Sequence, residues 1–215
     1  MELFTDANIQ ERVLDLRYNG GGLTDIARQL ASQISGPATD GNELITYQYN
    51  DKYDTSNYTK YFDSESFSQG LSRVVVLTTS RTASSSEIVI NSLKPYIDVV
   101  TMGDTTTGKP YITRGRDYCG KRVHALEAEG LNASGVSVYG GITADCAASD
   151  DVTSNFGGNN GNTNGNTEGM LRSALDYILN GNCETPSSQA ADLRARAKLN
   201  TDFAQEAFES GAQGF

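Results

Sequence analysis

The apolar residues near the start of the chain predict a strand followed by an amphipathic helix. Residues 13–16 form a short apolar run upstream of three consecutive glycines, Gly20, Gly21 and Gly22. After the glycines, apolar residues recur with the three- and four-residue spacing of one helix face, until Gly36-Pro37 closes the pattern. The residues of this predicted face are Leu23, Ile26, Ala27, Leu30, Ala31 and Ile34. A strand, a glycine turn and a helix make up the first half of a βαβ unit.

The same order of elements is repeated in the middle of the chain. Residues 74–77 contain three β-branched residues in succession, which is typical of a buried strand. A helix is predicted to begin near Ser84 and to stop at Pro95, and residues 97–102 predict the next strand. The repeated strand–helix–strand order predicts an α/β fold built of βαβ units around a mostly parallel sheet.

The remaining elements are predicted from shorter patterns. Residues 44–49 predict a strand, and residues 122–128 and 136–139 predict a strand pair. A later apolar face predicts a helix that ends at Gly181; its residues are Met170, Leu171, Ala174, Leu175, Ile178 and Leu179. Five tyrosines either line a groove or cover a sheet edge, and they are Tyr47, Tyr49, Tyr53, Tyr58 and Tyr61.

The expected domain organisation is one catalytic core over residues 1–183, followed by a tail. Within that core, the Gly/Asn-rich residues 157–167 predict a mobile surface loop. Residues 184–215 are expected to form a linker and a polar helix. The core begins so close to its first motif strand that its N-terminal part is expected to be incomplete, and we expect no peptide-binding PDZ domain ahead of it.

The charge balance argues against nucleic acid and membrane partners. Acidic residues outnumber basic residues 27 to 17, which gives a formal net charge of −10 over 215 residues. An acidic surface repels phosphate backbones and anionic lipid headgroups. The first residues do not have the composition of a secretory signal, and no apolar run approaches the roughly 20 residues of a membrane span.

The three cysteines do not form a metal-binding pattern. Cys119, Cys146 and Cys183 lie 27 and 37 residues apart, and His124 is the single histidine of the chain. A zinc site usually has short paired spacings, so no metal and no cofactor is expected. One disulfide with one free thiol and three reduced thiols both fit the sequence, and the three possible pairings stay open.

Ser84 is a candidate nucleophile because it lies where the predicted strand gives way to the helix. A serine hydroxyl needs a nearby base and a site that stabilises the oxyanion it creates. The free backbone N–H groups of a helix start supply part of that site. The competing interpretation is a helix N-cap, since Ser84 and Glu87 have the spacing of a capping box.

Lys109 is the candidate base, 25 residues after Ser84. A lysine acts as a general base only if burial lowers its pKa well below about 10.4. Gly108 and Pro110 flank Lys109 just beyond a buried strand, which could hold the amine in the interior; an exposed turn lysine is the alternative. His124 is a weaker candidate, because it lies in a polar stretch and Ser84 lacks the Gly-x-Ser-x-Gly elbow.

The glycines after Asn19 are the third element of the candidate site. Glycines between a strand and a helix allow the backbone to approach a ligand and to present N–H groups to negative charge. Their spacing is not the Gly-x-Gly-x-x-Gly of a dinucleotide site. A tight turn without a further role remains the alternative.

Together these segments resemble the C-terminal processing (tail-specific) serine peptidases, peptidase family S41. That family has an Asp-Leu-Arg-x-Asn-x-Gly-Gly segment, a Ser-Ala-Ser-Glu-like segment and a Gly-Lys pair, with the same interval between the serine and the lysine. The corresponding residues here are Asp15-Leu16-Arg17-Tyr18-Asn19-Gly20-Gly21-Gly22, Ser84-Ser85-Ser86-Glu87 and Gly108-Lys109. The resemblance extends over roughly residues 8–180.

The resemblance implies a role for each of these residues. Ser84 would be the nucleophile and Lys109 the base, and the oxyanion hole would be formed by the backbone N–H groups of Gly21 and Ser85. Asp15 and Arg17 would hold the glycine turn, and Glu87 would order the helix of the nucleophile. Bacterial members often carry a glutamine four residues after the lysine; Thr113 takes that position here, and either its hydroxyl or another group would orient Lys109.

The fold and activity that the resemblance implies are those of a Clp protease/crotonase-like peptidase core. The enzyme would be a serine endopeptidase that cleaves proteins near exposed C-terminal tails through an acyl-enzyme intermediate. Family members in bacteria act in the periplasm or at the cell surface, whereas the oligomeric state stays open. Two other functions fit the same fold: a catalytically silent module that carries a peptide or apolar ligand, and an acyl-CoA enzyme of the crotonase kind.

Overall fold

The structure is a computed structural model that describes residues 9–150 and 169–183. In these residues it contains two four-stranded sheets and three α-helices. The strands are β1 (Val13–Asp15), β2 (Glu43–Tyr49), β3 (Tyr58–Tyr61), β4 (Arg73–Thr78), β5 (Asp98–Gly103), β6 (Tyr111–Tyr118), β7 (Lys121–Leu131) and β8 (Cys146–Ala147). The helices are α1 (Thr24–Ser35), α2 (Ser85–Leu93) and α3 (Gly169–Asn180).

The first sheet is parallel and confirms the predicted core of the α/β fold. Its strand order is β1-β4-β5-β8, and every neighbouring pair runs parallel. In its register, Leu14 of β1 lies opposite Val76 of β4, and Val76 lies opposite Thr101 of β5. Parallel strands bring their carboxyl ends to one edge of the sheet, so the loops that follow β1, β4 and β5 converge there.

Strand β4 is buried on both faces, which explains its uninterrupted apolar sequence. Val74 and Val76 contribute to one apolar cluster with helices α1 and α2 and with strand β2, whereas Val75 and Leu77 contact Met170 and neighbouring residues of a second cluster beneath α3. Successive side chains of a strand point to opposite faces, so alternate residues of β4 enter different clusters. A parallel sheet covered on both sides is the expected arrangement for such strands.

Helices α1 and α2 have the bounds that the sequence predicts, but the apolar face of α1 is only partly buried. Ala27, Ala31 and Ile34 enter the core, whereas Leu23 and Ile26 are 74% and 60% exposed. The predicted apolar face is therefore buried only in its later part. Both exposed residues belong to the first turn of the helix or precede it, next to the glycine loop, where no other described element covers them.

The second sheet is antiparallel, in the order β3-β2-β7-β6. Residues 122–128 form the predicted strand as part of β7, but residues 136–139 are not its partner. They make one isolated bridge, Leu131 to Ser137, because Asn132 Oδ1 accepts the N–H groups of Ser134 and Val136 and turns the chain back as a loop. The partners of β7 are β6, which the sequence did not predict, and β2.

A disulfide between Cys146 and Cys183 joins β8 to the residues that follow α3. Cys119 is a free, exposed thiol in the β6–β7 turn. This arrangement is one of the alternatives that the sequence left open. The predicted loop at 157–167 and the predicted tail at 184–215 lie outside the described residues. None of the described helices combines the length and the apolar character that a membrane span requires.

Candidate active site

Ser84 lies at the junction between strand β4 and helix α2, as the sequence predicts. Its backbone has φ 57° and ψ −119°, a left-handed conformation that residues with a Cβ rarely adopt. The residue is half-buried, and its N–H donates to Glu87 Oε2 at 2.7 Å. A non-glycine residue in this conformation persists only where its surroundings hold it, and such residues are often functional.

Hydrogen bonds fix the turn before Ser84 to the segment that follows β1. Thr82 Oγ1 donates to the carbonyl of Leu16 at 2.7 Å, and the Thr79 hydroxyl donates to the carbonyl of Arg17. The N–H of Ala83 donates to the carbonyl of Asn19 at 3.1 Å. The Ser84 turn and the glycine loop are therefore held together as one unit, although they are more than 60 residues apart in sequence.

Gly21 packs directly against Ser84. A Cβ on Gly21 would lie 2.7 Å from Ser84 Cβ and 2.9 Å from the carbonyl oxygen of Ala83, and the backbone has φ +105°. Only glycine permits this close approach. Ser85 Oγ donates to the carbonyl of Gly22 at 2.8 Å and closes the contact from the other side.

The two predicted oxyanion donors differ in their hydrogen bonding. Gly21 N donates to Asn19 Oδ1 at 3.0 Å, whereas Ser85 N makes no hydrogen bond within the described residues. Asn19 Oδ1 also accepts from Ser86 Oγ at 3.0 Å. The structure thus brings both residues to Ser84, but Gly21 N becomes available to a substrate oxygen only when it is released from the Asn19 side chain.

Glu87 connects the Ser84 turn to the loop that carries Lys109. Its side chain is fully buried, and each carboxylate oxygen accepts two hydrogen bonds. Oε2 accepts from the backbone N–H groups of Ser84 at 2.7 Å and Lys109 at 2.9 Å. Oε1 accepts from Gly108 N and from Thr106 Oγ1, both at 2.6 Å. A carboxylate with four donors is fully satisfied in the interior and holds both segments in place.

The side chain of Lys109 is exposed, which corresponds to the exposed turn lysine that the sequence left open as the alternative to an interior amine. Pro110 is buried, and Gly108 packs so closely on the turn at Gly140 and Gly141 that a Cβ would lie 2.3 Å from Gly141 N. The loop backbone is therefore fixed, while the Lys109 side chain extends into solvent.

Thr113, the position predicted to orient Lys109, lies on β6 with its side chain exposed. Its hydroxyl makes no hydrogen bond within the described part of the chain. His124, the weaker candidate base, is exposed on β7 opposite Gly115.

Asp15 and Arg17 form the ion pair that the sequence suggests. Arg17 Nη2 lies 2.7 Å from Asp15 Oδ2, and Arg17 Nη1 lies 3.3 Å from Asp150 Oδ1. Burial opposes ionisation of Asp15, but the hydrogen bonds and charge of Arg17 outweigh it and lower the pKa of Asp15. The buried guanidinium thus stabilises the chain immediately after β1, where the glycine loop begins.

Three supporting residues were not singled out from the sequence. Asn19 was quoted as part of a motif without a role, yet it accepts hydrogen bonds from both the Ser84 turn and the glycine loop. Thr82 anchors the turn to the end of β1, and Thr106 donates to Glu87 while it accepts from Ile142 N at 2.8 Å. Apart from the contact between Asn19 and Gly21, these contacts span 19 to 67 residues, so no local sequence pattern could indicate them.

Replacing Gly21 by alanine is expected to disrupt the candidate site without unfolding the protein. The added methyl group would meet Ser84 Cβ and two backbone atoms at 3.0 Å or less, at a φ that alanine disfavours. We expect peptide hydrolysis to fall by at least tenfold, because small displacements of reacting groups have large effects on rate. Gly20→Ala is the matched control, since a Cβ there meets nothing within 4 Å. Equal activities for both variants would contradict the proposed packing.

The site thus consists of a serine on a strained strand-to-helix turn, a glycine loop packed against it and a lysine loop joined to it through Glu87. The family model for Peptidase family S41 matches residues 1–147. The chain therefore belongs to peptidase family S41.

Solved structures agree with this assignment. A protein from Bacteroides fragilis NCTC 9343 that is assigned to the S41 proteases is 30% identical, with a TM-score of 0.72 over 84% of this chain and 48% of that one. The photosystem II D1 C-terminal processing protease is 25% identical, with a TM-score of 0.55 over 67% of this chain and 36% of that one. A protein from Parabacteroides merdae ATCC 43184 that is described as a peptidase shares the fold at 19% identity, with a TM-score of 0.60 over 83% of this chain and 55% of that one.

The chain spans only about a third to a half of the length of these proteins. No curated protein matches it.

Proposed function

We propose that the protein is a serine endopeptidase in which Ser84 is the nucleophile and Lys109 is the general base. The observation that carries this proposal is the shared contact with Glu87: one carboxylate oxygen accepts the backbone N–H groups of both residues. Two residues that are 25 positions apart are thereby fixed beside each other. Membership of family S41 and the similarity to a C-terminal processing protease support a peptidase.

In the proposed reaction, Ser84 Oγ attacks a peptide carbonyl while Lys109 Nζ, in its neutral form, takes the hydroxyl proton. The tetrahedral oxyanion is stabilised by Ser85 N and by Gly21 N, which exchanges Asn19 Oδ1 for the substrate oxygen. Each such donor contributes about 3 kcal/mol in comparable sites. Lys109 then gives its proton to the leaving amine, and water hydrolyses the ester at Ser84 to release the acid and restore the hydroxyl.

The exposure of Lys109 defines when this base can act. Because the Lys109 side chain is exposed in the free protein, we expect a bound substrate to exclude water from the amine before proton transfer occurs. In this proposal, Lys109 becomes able to act as a base only when a substrate is bound, and not in the free protein.

The proposed substrates are proteins cleaved near an exposed C-terminal tail. The printed name of one structural relative describes C-terminal processing, and the family resemblance points in the same direction. We propose residues 1–183 as the catalytic core and residues 184–215 as a linker and tail. A location outside the cytoplasm is supported by the Cys146–Cys183 disulfide, because such bonds persist in oxidising compartments.

A catalytically silent binding module is the second candidate. The exposed Lys109 amine and the engaged Gly21 N favour it, because a site without a base or a complete oxyanion hole would bind a peptide without cleaving it. The two functions differ in their response to substitution of Lys109.

Replacing Lys109 by alanine is expected to lower kcat/KM for a peptide substrate by about 10²–10⁴-fold, the usual contribution of a general base. Lys109→Arg should be equally impaired, because a guanidinium keeps the charge but does not release its proton. Lys121→Ala removes an exposed lysine in the β6–β7 hairpin and serves as the control. Full activity of the Lys109→Arg protein would show that Lys109 acts only through its positive charge. Full activity of the Lys109→Ala protein would show that Lys109 takes no part in the mechanism.

A further inference from the structure

A groove with a volume of about 480 Å³ crosses the antiparallel sheet. Strands β2, β3, β6 and β7 contribute to its walls, together with the turn between β2 and β3. We call it the tyrosine groove, and its characteristic residues are Tyr49, Tyr53, Tyr58, Arg114, Arg116 and Glu127. The sequence left open whether the tyrosines line a groove or cover a sheet edge, and three of the five line this groove.

Glu127 reaches the groove through a break in the strand register. The pairing of β6 with β7 goes from Ile112–Ala128 to Thr113–Leu126, so Glu127 has no partner across the ladder. Such a bulge changes the direction of a side chain and is common near functional sites. The Glu127 side chain is only 9% exposed, and its Oε1 accepts from Arg116 Nη2 at 2.6 Å and Nε at 3.0 Å.

The second oxygen of this carboxylate is buried without a hydrogen bond. Glu127 Oε2 has no donor among the described residues, and Arg114 Nε lies 3.7 Å from it. A buried acceptor without a donor costs about 1–3 kcal/mol, so a ligand that supplies an N–H would be favoured at this position.

Arg114 presents unused donors beside that acceptor. Its side chain is 63% exposed, and its five N–H donors make no hydrogen bond within the described part of the chain. The two arginines outnumber the one glutamate, so the groove is locally positive on a chain whose formal net charge is −10. The tyrosine rings supply an apolar wall beside these charges. The complementary ligand therefore carries a carboxylate, an N–H donor and an apolar group close together.

We propose that the tyrosine groove binds the C-terminal residue of a polypeptide. The α-carboxylate would pair with Arg114, the amide N–H of the same residue would donate to Glu127 Oε2, and the side chain would lie against the tyrosines. In a C-terminal residue the carboxylate and the amide N–H are attached to one Cα, which matches the short separation of Arg114 and Glu127. An aspartate or glutamate side chain places its carboxylate one or two further bonds from its own N–H.

The position of the groove relative to Lys109 connects it to the candidate site. Strand β6 begins two residues after Lys109, and Arg114 follows Lys109 by five residues. At roughly 3.3 Å per residue of strand, this separation is about 16 Å, which an extended peptide of about five residues spans. As a substrate subsite, a role that rests on the proposed function, the groove would direct cleavage to a bond roughly five residues before the C-terminus.

The test measures peptide binding in the Ser84→Ala protein, so that hydrolysis is not needed. A fluorescein-labelled eight-residue peptide that ends in phenylalanine is prepared as the free acid and as the C-terminal amide, and Kd is measured by fluorescence anisotropy. We expect the acid to bind at least tenfold more tightly than the amide, as a charge-assisted pair requires. Adding Arg114→Gln should remove this preference, whereas Arg122→Gln, at an equally exposed arginine near the hairpin turn, should leave it unchanged.

Equal affinities for acid and amide, no measurable binding of either, or a preference that survives Arg114→Gln would each overturn the proposal. So would an amidated peptide with an internal aspartate that binds as tightly as the free acid. In the Ser84-containing protein, Arg114→Gln should raise KM for the free-acid peptide about tenfold with kcat unchanged. If the acid is preferred but no peptide is hydrolysed, the proposed function fails and the C-terminal binding site stands.

Discussion

Replacing Ser84 by alanine is expected to lower kcat/KM for peptide hydrolysis by about 10⁴–10⁶-fold, because loss of a serine nucleophile removes the acyl-enzyme route. The thermal stability should fall only slightly, because alanine removes the Ser84 side-chain cap of α2 but keeps the backbone N–H that donates to Glu87. The measurement is peptide hydrolysis with a fluorogenic substrate alongside a thermal melt.

Ser80→Ala provides the matched control for that result. Ser80 is an exposed serine four residues upstream, in the same loop, and its alanine variant should retain the parent activity. A Ser84→Ala protein that keeps more than about a tenth of the activity would contradict the role of Ser84 as nucleophile.

Replacing Glu87 by alanine is expected to lower the free energy of unfolding by about 3–5 kcal/mol. The substitution would remove the acceptor of three part-buried backbone N–H groups and of the buried Thr106 hydroxyl, and would empty part of the core. This loss is a large fraction of the stability of an ordinary domain. It is measured from urea unfolding, with the m-value compared to establish that the same transition is observed.

The Glu87→Gln protein tests whether the hydrogen bonds of Glu87 matter for activity in a protein that remains folded. The amide keeps one acceptor oxygen but presents an NH₂ group to two donors, so an intermediate loss of stability and a strong loss of activity are expected. Glu65→Ala is the control, at a partly exposed carboxylate in the loop between β3 and β4. A Glu87→Ala protein as stable as Glu65→Ala would show that Glu87 does not hold the two loops.

The parallel core could be predicted because its sequence pattern is dictated by burial. Residues 74–77 are apolar on both faces of β4, and both faces are covered in the structure. The glycines and Pro95 marked element ends by local backbone chemistry. The bounds of α1 and α2 followed from the same signals.

The second sheet could not be predicted in full, because β6 lacks the alternation that burial imposes. Its residues from Thr113 to Tyr118 are mostly exposed and include Arg114, Gly115, Arg116 and Asp117, so a polar turn was equally compatible with the sequence. The bulge at Glu127 adds a residue to β7 and shifts its alternation. Pairing of this kind depends on the partner strand rather than on the local sequence.

The residues of the candidate site could be predicted from the sequence, but the hydrogen bonds that join them could not. The spacing of Ser84 and Glu87 indicated a helix cap, which accounts for only one of the four hydrogen bonds that Glu87 accepts. The other three come from residues 19 to 22 positions away. Similarly, the glycine and proline beside Lys109 indicated a fixed backbone, but they did not determine whether the side chain points inwards.

The central claim is that Ser84 is an activated nucleophile whose hydroxyl depends on Lys109. The most direct measurement is covalent labelling by a peptide-linked fluorophosphonate, whose peptide part covers Lys109 as a bound substrate would, followed by peptide mapping with mass spectrometry, in the parent protein and in Lys109→Ala. The account predicts a single adduct on Ser84, formed at least a hundredfold more slowly in Lys109→Ala. An unlabelled Ser84, or labelling at the same rate without Lys109, would contradict it.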